Sequence, residues 1–244
     1  MVEEAERGGS MSEVGRIAGI FWEPRPVFQD LAERPRWWVP LILLTALSMI
    51  LVVTLSRVVG WEPVVRQQIE SNSRLAQMPA EQRERAIEVG VKSASIMGYV
   101  GAACGLTISA LLIAAAMLGS FNLLGGAKLK YGQAFSVTCY SFLPTGLSTI
   151  LIMVVMFLKD PSEFSLQNAL PVHLGAFLNP QTTAKWLYTL ASSINLFTIW
   201  VMLLMALGFS VASKRLTFGK SLTLVVLPWA VFVLLTSAVT AMFS

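Results

Sequence analysis

Charged residues are scarce in this chain of 244 residues. Asp, Glu, Lys and Arg make up 13% of the sequence, against roughly 25% in an ordinary soluble domain. Hydrophobic residues account for 55%, and the mean hydropathy is +0.66. A soluble core cannot bury this much apolar surface. The composition therefore excludes one or two ordinary soluble domains and indicates an integral membrane protein.

Residues suited to catalysis or metal binding are also few. Histidine occurs once, at His173, and no cysteine, second histidine or carboxylate stands at ligand spacing from it. The two cysteines, Cys104 and Cys139, fall inside apolar runs, where thiols behave as small hydrophobic groups. Nucleophile elbows, zinc-protease motifs and phosphate-binding loops do not occur. The sequence predicts that the chain is not an enzyme and binds no cofactor or metal.

Five uncharged apolar runs are long enough to cross a bilayer. Twenty residues of α-helix cover about 30 Å, which is the thickness of the hydrocarbon core. The sequence therefore predicts an all-α integral membrane fold, a bundle of five transmembrane helices. The approximate spans are 38–57, 94–119, 134–158, 188–211 and 221–243. Ionisable residues stand only at the ends of these runs, which argues against a proton-coupled or ion-coupled carrier.

The N-terminal end and one loop are polar. Residues 1–12 are small, acidic and polar, and they predict a disordered tail before a single membrane domain at 13–244. Residues 58–93 form the one substantial polar loop, predicted to be extracytoplasmic. Its Glu-to-base pairs at i,i+4, with Pro79 suited to a helix start, predict two helices separated by a break near Met78. A solvated surface is the simplest role for this loop, and a partner-binding surface is the alternative.

A short amphipathic helix is predicted before the first span. Glu13 and Arg16 lie off its apolar face, which is formed by Val14, Ile17, Ala18 and Phe21. Pro24 and Pro26 then break the helix. We interpret this segment as an interfacial helix that lies on the membrane. A short helix packed on the protein's own loops is the alternative.

The second span is rich in small residues. Gly101-x-x-x-Gly105, flanked by Gly98 and Ser109, is typical of a face on which membrane helices approach closely. The motif predicts that Gly105 packs against a neighbouring helix, within one chain or in a homo-oligomer. The sequence leaves the oligomeric state open.

Two short loops are basic and contain no acid. Each carries Lys or Arg, then an aromatic residue and a glycine before an apolar run, which is typical of a turn at a bilayer surface. The candidate contacts to anionic lipid headgroups, or to an unidentified membrane-protein partner, are Lys128, Lys130, Tyr131, Lys214, Arg215, Phe218 and Lys220. The net charge of +4 resides in such loops and favours lipid over nucleic acid as the partner.

The basic loops also predict the orientation. Under the positive-inside rule they lie in the cytoplasm. The chain is then a multi-pass protein of the plasma (inner) membrane, with a cytoplasmic N-terminus and an extracytoplasmic C-terminus. The 58–93 loop, on the opposite side, also holds five Lys and Arg, which reduces the difference in charge between the two sides.

The two basic turns resemble each other in sequence. Aligning Tyr131 with Phe218 also aligns the glycine after each, with a two-residue gap at 125–126. We predict that the turns and the adjoining helix ends correspond, although Pro144 and Pro228 fall out of register. Chance similarity between two basic hairpins is the alternative.

Three longer segments of the chain match a known pattern. They are FWEPRPVFQDLAERPRWWVPL before the first span, YGQAFSVTCYSFLP entering the third, and SSINLFTIWVMLLMALGFSV followed by a basic turn and GKSLTLVVLPW. Together they resemble the Yip domain family, named for Ypt/Rab-interacting proteins, and in particular its bacterial-type branch. The resemblance implies five spans and a cytoplasmic N-terminus. Eukaryotic members act in vesicle traffic as partners of small GTPases, but their Asp-Leu-Tyr-Gly-Pro element is absent here, so the resemblance does not imply that role.

Two functions fit these observations. The first is a Yip-type, non-enzymatic scaffold, adaptor or lipid-organising protein that acts through the basic turns. The alternative is a passive carrier for lipid or a small neutral solute, with a site between the two helical hairpins lined by Asn122, Ser141 and Asn195. Hydrogen bonding between helices is the simpler role for these three residues. A polar cavity reaching the bilayer midplane would favour the carrier.

Overall fold

The computed structural model describes residues 11–70, 75, 77–160, 164–166, 168–179 and 182–242. The helices, numbered in chain order, are α1 (Glu13–Trp22), α2 (Pro24–Glu33), α3 (Trp38–Val58), α4 (Trp61–Glu70), α5 (Ala80–Val100), α6 (Leu106–Gly119), α7 (Tyr131–Ser141), α8 (Leu143–Leu158), α9 (Lys185–Ser193), α10 (Leu196–Ser213) and α11 (Phe218–Met242). Two π-helical turns, Gly101–Gly105 and Ser120–Leu124, extend α5 and α6, and a 3-10 turn covers Leu174–Phe177. The predicted all-α fold is confirmed. Residues 1–10 of the predicted tail lie outside the described residues.

Among the described residues, five helical segments are long and apolar enough to cross a membrane. They are Trp38–Val58, Ala80–Leu124, Tyr131–Leu158, Leu196–Ser213 and Phe218–Met242. Each contains at least 18 residues, and 18 residues of α-helix are about 27 Å long, close to the hydrocarbon thickness. The five-helix bundle predicted from the apolar runs is therefore confirmed.

The loop between the first two spans is a helical hairpin made of α4 and the outer part of α5. As predicted, α5 begins directly after Pro79. It continues into the second span, so that span has no separate start near residue 94. Val65 and Ile69 of α4 pack with Ile87 of α5 in a small core of their own. The hairpin is therefore an extension of the bundle with its own packing.

Two spans contain helix breaks that the apolar pattern of the sequence does not indicate. The third is broken at Phe142, between α7 and α8, because Pro144 in the first turn of α8 has no amide hydrogen to continue the helix. The fourth begins at Leu196, not near residue 188 as predicted. Asn195 starts it, since its backbone is extended and its Oδ1 accepts a hydrogen bond from Thr198 N at 2.8 Å.

The centre of the bundle is formed by α7 and α10. Every residue of α7 from Ala134 to Ser141 is buried. Helix α10 packs against α2, α7, α8 and α11, while α3 packs against α8 and α6 against α7. The rings of Phe121 and Phe209 stack with their centroids 4.5 Å apart and join the second and fourth spans. The outer spans keep many apolar side chains exposed, as a lipid-facing surface requires.

The two N-terminal helices form an antiparallel hairpin that packs on the bundle. The chain turns at Glu23, and Pro24 starts a second helix directly, since proline suits the first helical position. Close packing joins the two helices, because a methyl group at Gly19 would lie 2.7 Å from Val27 Cγ2. Val27 and Phe28 are fully buried where α2 packs on α10. The hairpin is therefore part of the folded core.

The first helix of this hairpin presents a different face from the predicted one. Arg16 and Ile20 are buried, whereas Val14 and Trp22 are 77% and 85% exposed. The expectation that Arg16 lies off the packed face is wrong, because its acidic partners lie inside the hairpin. Val14, Ala18 and Trp22 remain outside, where apolar and aromatic side chains suit a membrane interface.

The close packing of the second span involves another glycine than the predicted one. Gly98 is closely packed, because a methyl group there would overlap the indole of Trp61 at the start of α4. Gly101 and Gly105 face open space, since a methyl group at either would meet no atom within 4 Å outside its own helix. The predicted packing of Gly105 against a neighbouring helix within the chain is therefore wrong.

We expect Gly98→Leu to lower the stability of the protein by about 1–3 kcal/mol, because the new side chain displaces the Trp61 indole. Gly105→Leu is the matched control on the same helix, and we expect it to leave the stability nearly unchanged. Thermal unfolding of both variants in detergent makes the comparison. Equal unfolding temperatures would show that the contact between Gly98 and Trp61 does not stabilise the fold.

Candidate functional site

The two basic turns lie side by side at one end of the bundle. The first covers residues 125–130, between the second and third spans, and the second covers residues 214–217, between the fourth and fifth. They are in contact, because a methyl group at Gly125 would lie 2.9 Å from the side chains of both Leu216 and Leu224. The surface formed by these turns and the adjoining helix ends is referred to below as the basic face.

Asn122 determines the shape of the first turn. Its Oδ1 accepts a hydrogen bond from Leu129 N at 2.7 Å, and its Nδ2 donates one to the Leu129 carbonyl at 3.0 Å. Ala127 and Leu129 point inward and are buried. Lys128 and Lys130, which alternate with them, are exposed. The apolar residues of the turn therefore hold it against the bundle while the cations face outward.

The two turns agree with the sequence alignment in their lengths and in the position of one aromatic residue. The first has six residues and the second has four, which matches the predicted two-residue gap. Each contains one lysine in the left-handed region, Lys128 with φ 55° and Lys214 with φ 54°. The following helices begin at Tyr131 and Phe218, whose side chains are 40% and 42% exposed. The turns therefore agree with the predicted gap and in the aromatic position, but their left-handed lysines are out of register, since Lys128 precedes Tyr131 by three residues and Lys214 precedes Phe218 by four.

All the contacts predicted from the sequence are exposed on the basic face, and they are Lys128, Lys130, Tyr131, Lys214, Arg215, Phe218 and Lys220. None of the five cations forms an ion pair with a described residue. Tyr131 is held in place, because its hydroxyl donates to the Leu111 carbonyl at 3.1 Å and its ring stacks on Phe135. Unpaired cations beside an aromatic ring are typical of a surface at the headgroup layer.

A network of charged side chains joins the N-terminal hairpin to the third span. Arg16, whose side chain is fully buried, donates from Nε to Asp30 Oδ2 at 2.6 Å and from Nη1 to Glu13 Oε1 at 3.0 Å. Arg36 also donates to Glu13 Oε1, at 2.8 Å. The Tyr140 hydroxyl donates to Glu13 Oε2 at 2.9 Å. Because Tyr140 belongs to α7, the network links α1 and α2 to the centre of the bundle.

The network favours the charged forms of Glu13 and Arg16 despite their burial. Burial raises the pKa of Glu13, but hydrogen bonds from Arg36 and Tyr140, with the charge of Arg16, outweigh it and lower that pKa below its ordinary value. Burial likewise opposes the charge of Arg16, while the hydrogen bond and charge of Asp30 raise the pKa of Arg16. The ions therefore compensate one another inside the protein.

A cleft of about 570 Å³ opens on the basic face between α2 and the second turn. Its lining comprises Arg25, Gln29, Ala32, Glu33, Ser210, Val211, Lys214, Leu216, Thr217 and Phe218. Lys214 and Phe218 are predicted contacts, whereas Arg25 and Glu33 were missed. Their i,i+4,i+8 spacing with Gln29 places them on one face of α2, a signal that only becomes informative once α2 is known to pack beside the turn.

Comparison with known proteins assigns the chain to a family. The Yip1 domain model matches residues 18–239, which is most of the chain. The chain belongs to the Yip1 domain family. It is similar to "Membrane protein YknW" of Bacillus subtilis (strain 168), with 23% identity over 203 residues, 83% of this chain and 80% of that protein. This bacterial relative is consistent with the bacterial-type branch. No solved structure matches the chain.

The match to the Yip1 family covers the basic face but not the whole ion network. Both basic turns, α2 and Tyr140 lie within residues 18–239, whereas Glu13 and Arg16 precede them. No local sequence pattern marks the network, because Arg16 and Asp30 are 14 residues apart with a helix break between them. Only the packing of the hairpin brings these groups together.

The intramembrane polar site predicted for this Yip1 protein is not assembled in the structure. Asn122 bonds to the first basic turn, while Asn195 caps the opposite end of α10. The 18 residues of α10, about 27 Å of helix, separate Asn195 from the second basic turn, which adjoins the first. Ser141 is fully buried at the end of α7. Asn122 and Asn195 therefore use their side chains within their own segments.

Proposed function

We propose that this Yip1 protein is a non-enzymatic membrane scaffold that organises anionic lipid through its basic face. One observation carries the proposal: the five cations of the two turns are exposed, adjacent and without ion pairs among the described residues. Each cation close to an anionic bilayer surface contributes about 1 kcal/mol of attraction. Arg16, Arg36, Arg66 and Arg85 are paired with acids, whereas the two basic turns contain no acid.

The rigid shape of the face supports the same function. The Asn122 side chain and the buried Ala127 and Leu129 hold the first turn, and the second turn packs against it. The cations therefore keep their relative positions without a partner. A passive carrier is less well supported, because Asn122, Ser141 and Asn195 do not form a common site.

Neutralising three cations of the basic face should abolish the preference for anionic lipid. The variant is Lys128→Asn, Lys214→Asn and Lys220→Gln, with asparagine chosen because it tolerates the left-handed backbone. We expect purified wild-type protein to enrich phosphatidylglycerol several-fold over phosphatidylcholine, and the variant to lose this enrichment. Native mass spectrometry of protein from mixed-lipid nanodiscs measures the ratio.

The control for this experiment changes the same net charge at the other end of the protein. It carries Arg83→Gln, Arg85→Gln and Lys92→Gln on α5, and we expect it to keep the enrichment of the wild type. An equal loss in both variants would mean that net charge, not the basic face, attracts the lipid.

We also propose the orientation that the positive-inside rule gives, with the basic face in the cytoplasm of a cell bounded by its plasma membrane. The N-terminus is then cytoplasmic and the C-terminus extracytoplasmic. Gly132 and Gly219 are suitable reporter positions, because both are exposed and a side chain would meet no neighbouring atom within 4 Å. Gln77, exposed between α4 and α5 of the outer hairpin, reports on the other side.

Single cysteines at these positions test the orientation. In a background without Cys104 and Cys139, we expect Gln77→Cys to react with a membrane-impermeant thiol reagent in intact cells. Gly132→Cys and Gly219→Cys should react only after the membrane is opened. The reverse pattern would place the basic face outside the cell.

A further inference from the structure

The cleft on the basic face has the size of a binding site for a small ligand. Its volume of about 570 Å³ lies within the range of about 300–1,000 Å³ found for such sites. One wall is α2, and the other is the end of α10, the second turn and the start of α11. The cleft therefore exists only where the N-terminal hairpin packs beside the turn.

Three sources of positive potential meet in this cleft. Arg25 and Lys214 line it, and neither forms an ion pair with a described residue. The third source is the N-terminus of the 25-residue α11, where the amides of Phe218 and Gly219 have no acceptor among the described residues. Basic side chains and helix N-terminal amides are the groups that bind phosphate.

The cleft also contains a carboxylate. Glu33 follows Arg25 by eight residues on the same face of α2, a rise of about 12 Å, and it has no ion-pair partner among the described residues. A simple anion would be repelled by this carboxylate. A ligand that carries a phosphate and an ammonium group would satisfy Glu33 as well as the cations. The charge pattern therefore fits a zwitterion.

One side of the cleft is apolar. Val211, Leu216 and Phe218 line it, and Phe218 is 42% exposed at the first residue of a span. A free phosphate or a small amino-phosphate would leave these side chains in water. The glycerol and first acyl carbons of a lipid would cover them, which stabilises the bound state through burial of apolar area.

From this arrangement we infer that the cleft binds one aminophospholipid, a lipid whose headgroup carries a phosphate and a primary amine. Lys214, Arg25 and the α11 amides hold the phosphate, and Glu33 accepts hydrogen bonds from the ammonium group. The inference deepens the proposed function and rests on it, since it names one lipid class at one place on the basic face. Bulk attraction of anionic lipid involves all the cations, whereas this site involves one bound molecule.

Titration of the purified protein with single lipids tests the inference. Native mass spectrometry in a mild detergent compares phosphatidylethanolamine, phosphatidylcholine and phosphatidylglycerol. We expect one phosphatidylethanolamine to bind at least fivefold more tightly than either other lipid, because choline has no N–H to donate and glycerol has no positive charge. Equal affinity for all three lipids would overturn the inference. Displacement of the lipid by millimolar inorganic phosphate would also overturn it, since the cleft would then be a phosphate site.

Two variants and one control assign the binding to the cleft. Lys214→Asn should lose the tight phosphatidylethanolamine, whereas Lys128→Asn, which changes the left-handed lysine of the first turn, should keep it. Glu33→Gln should bind phosphatidylethanolamine and phosphatidylglycerol equally. Unchanged selectivity in Glu33→Gln, or equal losses in the two lysine variants, would contradict the assignment.

The two lipid proposals fail in different ways. Absence of phosphatidylglycerol enrichment in the wild-type protein, with one phosphatidylethanolamine still bound tightly, would refute only the bulk proposal. The absence of a single bound lipid, with enrichment intact, would refute only the cleft. Circular dichroism and unfolding temperature of Glu33→Gln and Lys214→Asn verify that both exposed substitutions leave the fold unchanged.

Discussion

Asp30→Ala is expected to destabilise the protein by about 3–5 kcal/mol, because it leaves the fully buried guanidinium of Arg16 without its main partner. Removing one member of a buried ion pair costs more than the pair contributes, since the remaining charge stays buried without full compensation. Glu13 bonds to Arg16 through a second nitrogen, but it already accepts from Arg36 and Tyr140. The loss should therefore detach the N-terminal hairpin.

A double variant separates burial of charge from loss of packing. Arg16→Met with Asp30→Leu removes both charges and keeps apolar volume, so we expect it to recover most of the stability lost in Asp30→Ala. Urea-induced unfolding in detergent micelles measures the three proteins. Glu84→Ala, which removes an exposed partner of Arg66, is the control and should have little effect. A double variant as unstable as Asp30→Ala would show that the hairpin needs the ions themselves to stay packed on the bundle.

Glu13 also makes the stability of the hairpin depend on pH in a defined direction. The pKa of Glu13 is lower in the folded protein than its ordinary value of 4.5. Its carboxylate therefore contributes stability that is complete above pH 4.5 and is lost as the pH falls through the lowered pKa. The stability of the hairpin should accordingly be constant near neutral pH and decrease only in acid.

Gly208→Leu should have the second largest effect, because three helices meet at this glycine. A methyl group there would lie 2.6 Å from Val137 of α7 and 2.8 Å from Phe28 of α2. All three positions are buried, so neither neighbour can move into solvent without opening the core. Overpacking of this kind costs about 1–3 kcal/mol, and leucine adds more volume than a single methyl group.

Proteolysis shows whether Gly208→Leu displaces the hairpin. We expect faster trypsin cleavage after Arg16, which is buried in the folded hairpin, and a lower unfolding temperature than in the wild type. Gly119→Leu is the control, since a side chain at Gly119 would meet no atom within 4 Å outside its helix. Phe28→Ala should partly rescue Gly208→Leu by making space. Normal cleavage in Gly208→Leu would mean that α2 does not depend on its contact with α10.

The sequence was sufficient for the features that composition and local order determine. Apolar runs located the five spans, and the acid-free turns located the basic face, because both properties depend on neighbouring residues. The break before Leu196 was missed because residues on both sides of Asn195 are apolar. The break depends on the Asn195 cap and on backbone hydrogen bonds from Leu174 N to the Ile194 carbonyl and from Leu196 N to the Val172 carbonyl, which join segments distant in sequence. Glycine content indicated close packing in the second span but could not identify Trp61 as the neighbour.

Part of the candidate site was also predictable from local sequence. All seven exposed contacts follow from two short segments of sequence. Arg25 and Glu33 could not be included, because they reach the basic face only through the packing of α2 on α10. Arg16 was assigned to the polar side of its helix, since a pairing with Asp30 depends on the fold and not on sequence spacing.

The π-helical turn Gly101–Gly105 changes the angular relation between the two ends of the long second span. In an unbroken α-helix Gly98 and Gly105 would share a face, because seven residues make nearly two full turns. A π turn takes in one more residue, and one residue corresponds to about 100° of rotation. At the outer end of this helix Gly98 contacts Trp61 of α4, and at the inner end Ala110 and Ala114 are buried in the bundle. A helical wheel drawn across residue 101 without the π turn would therefore place the two ends about 100° out of register.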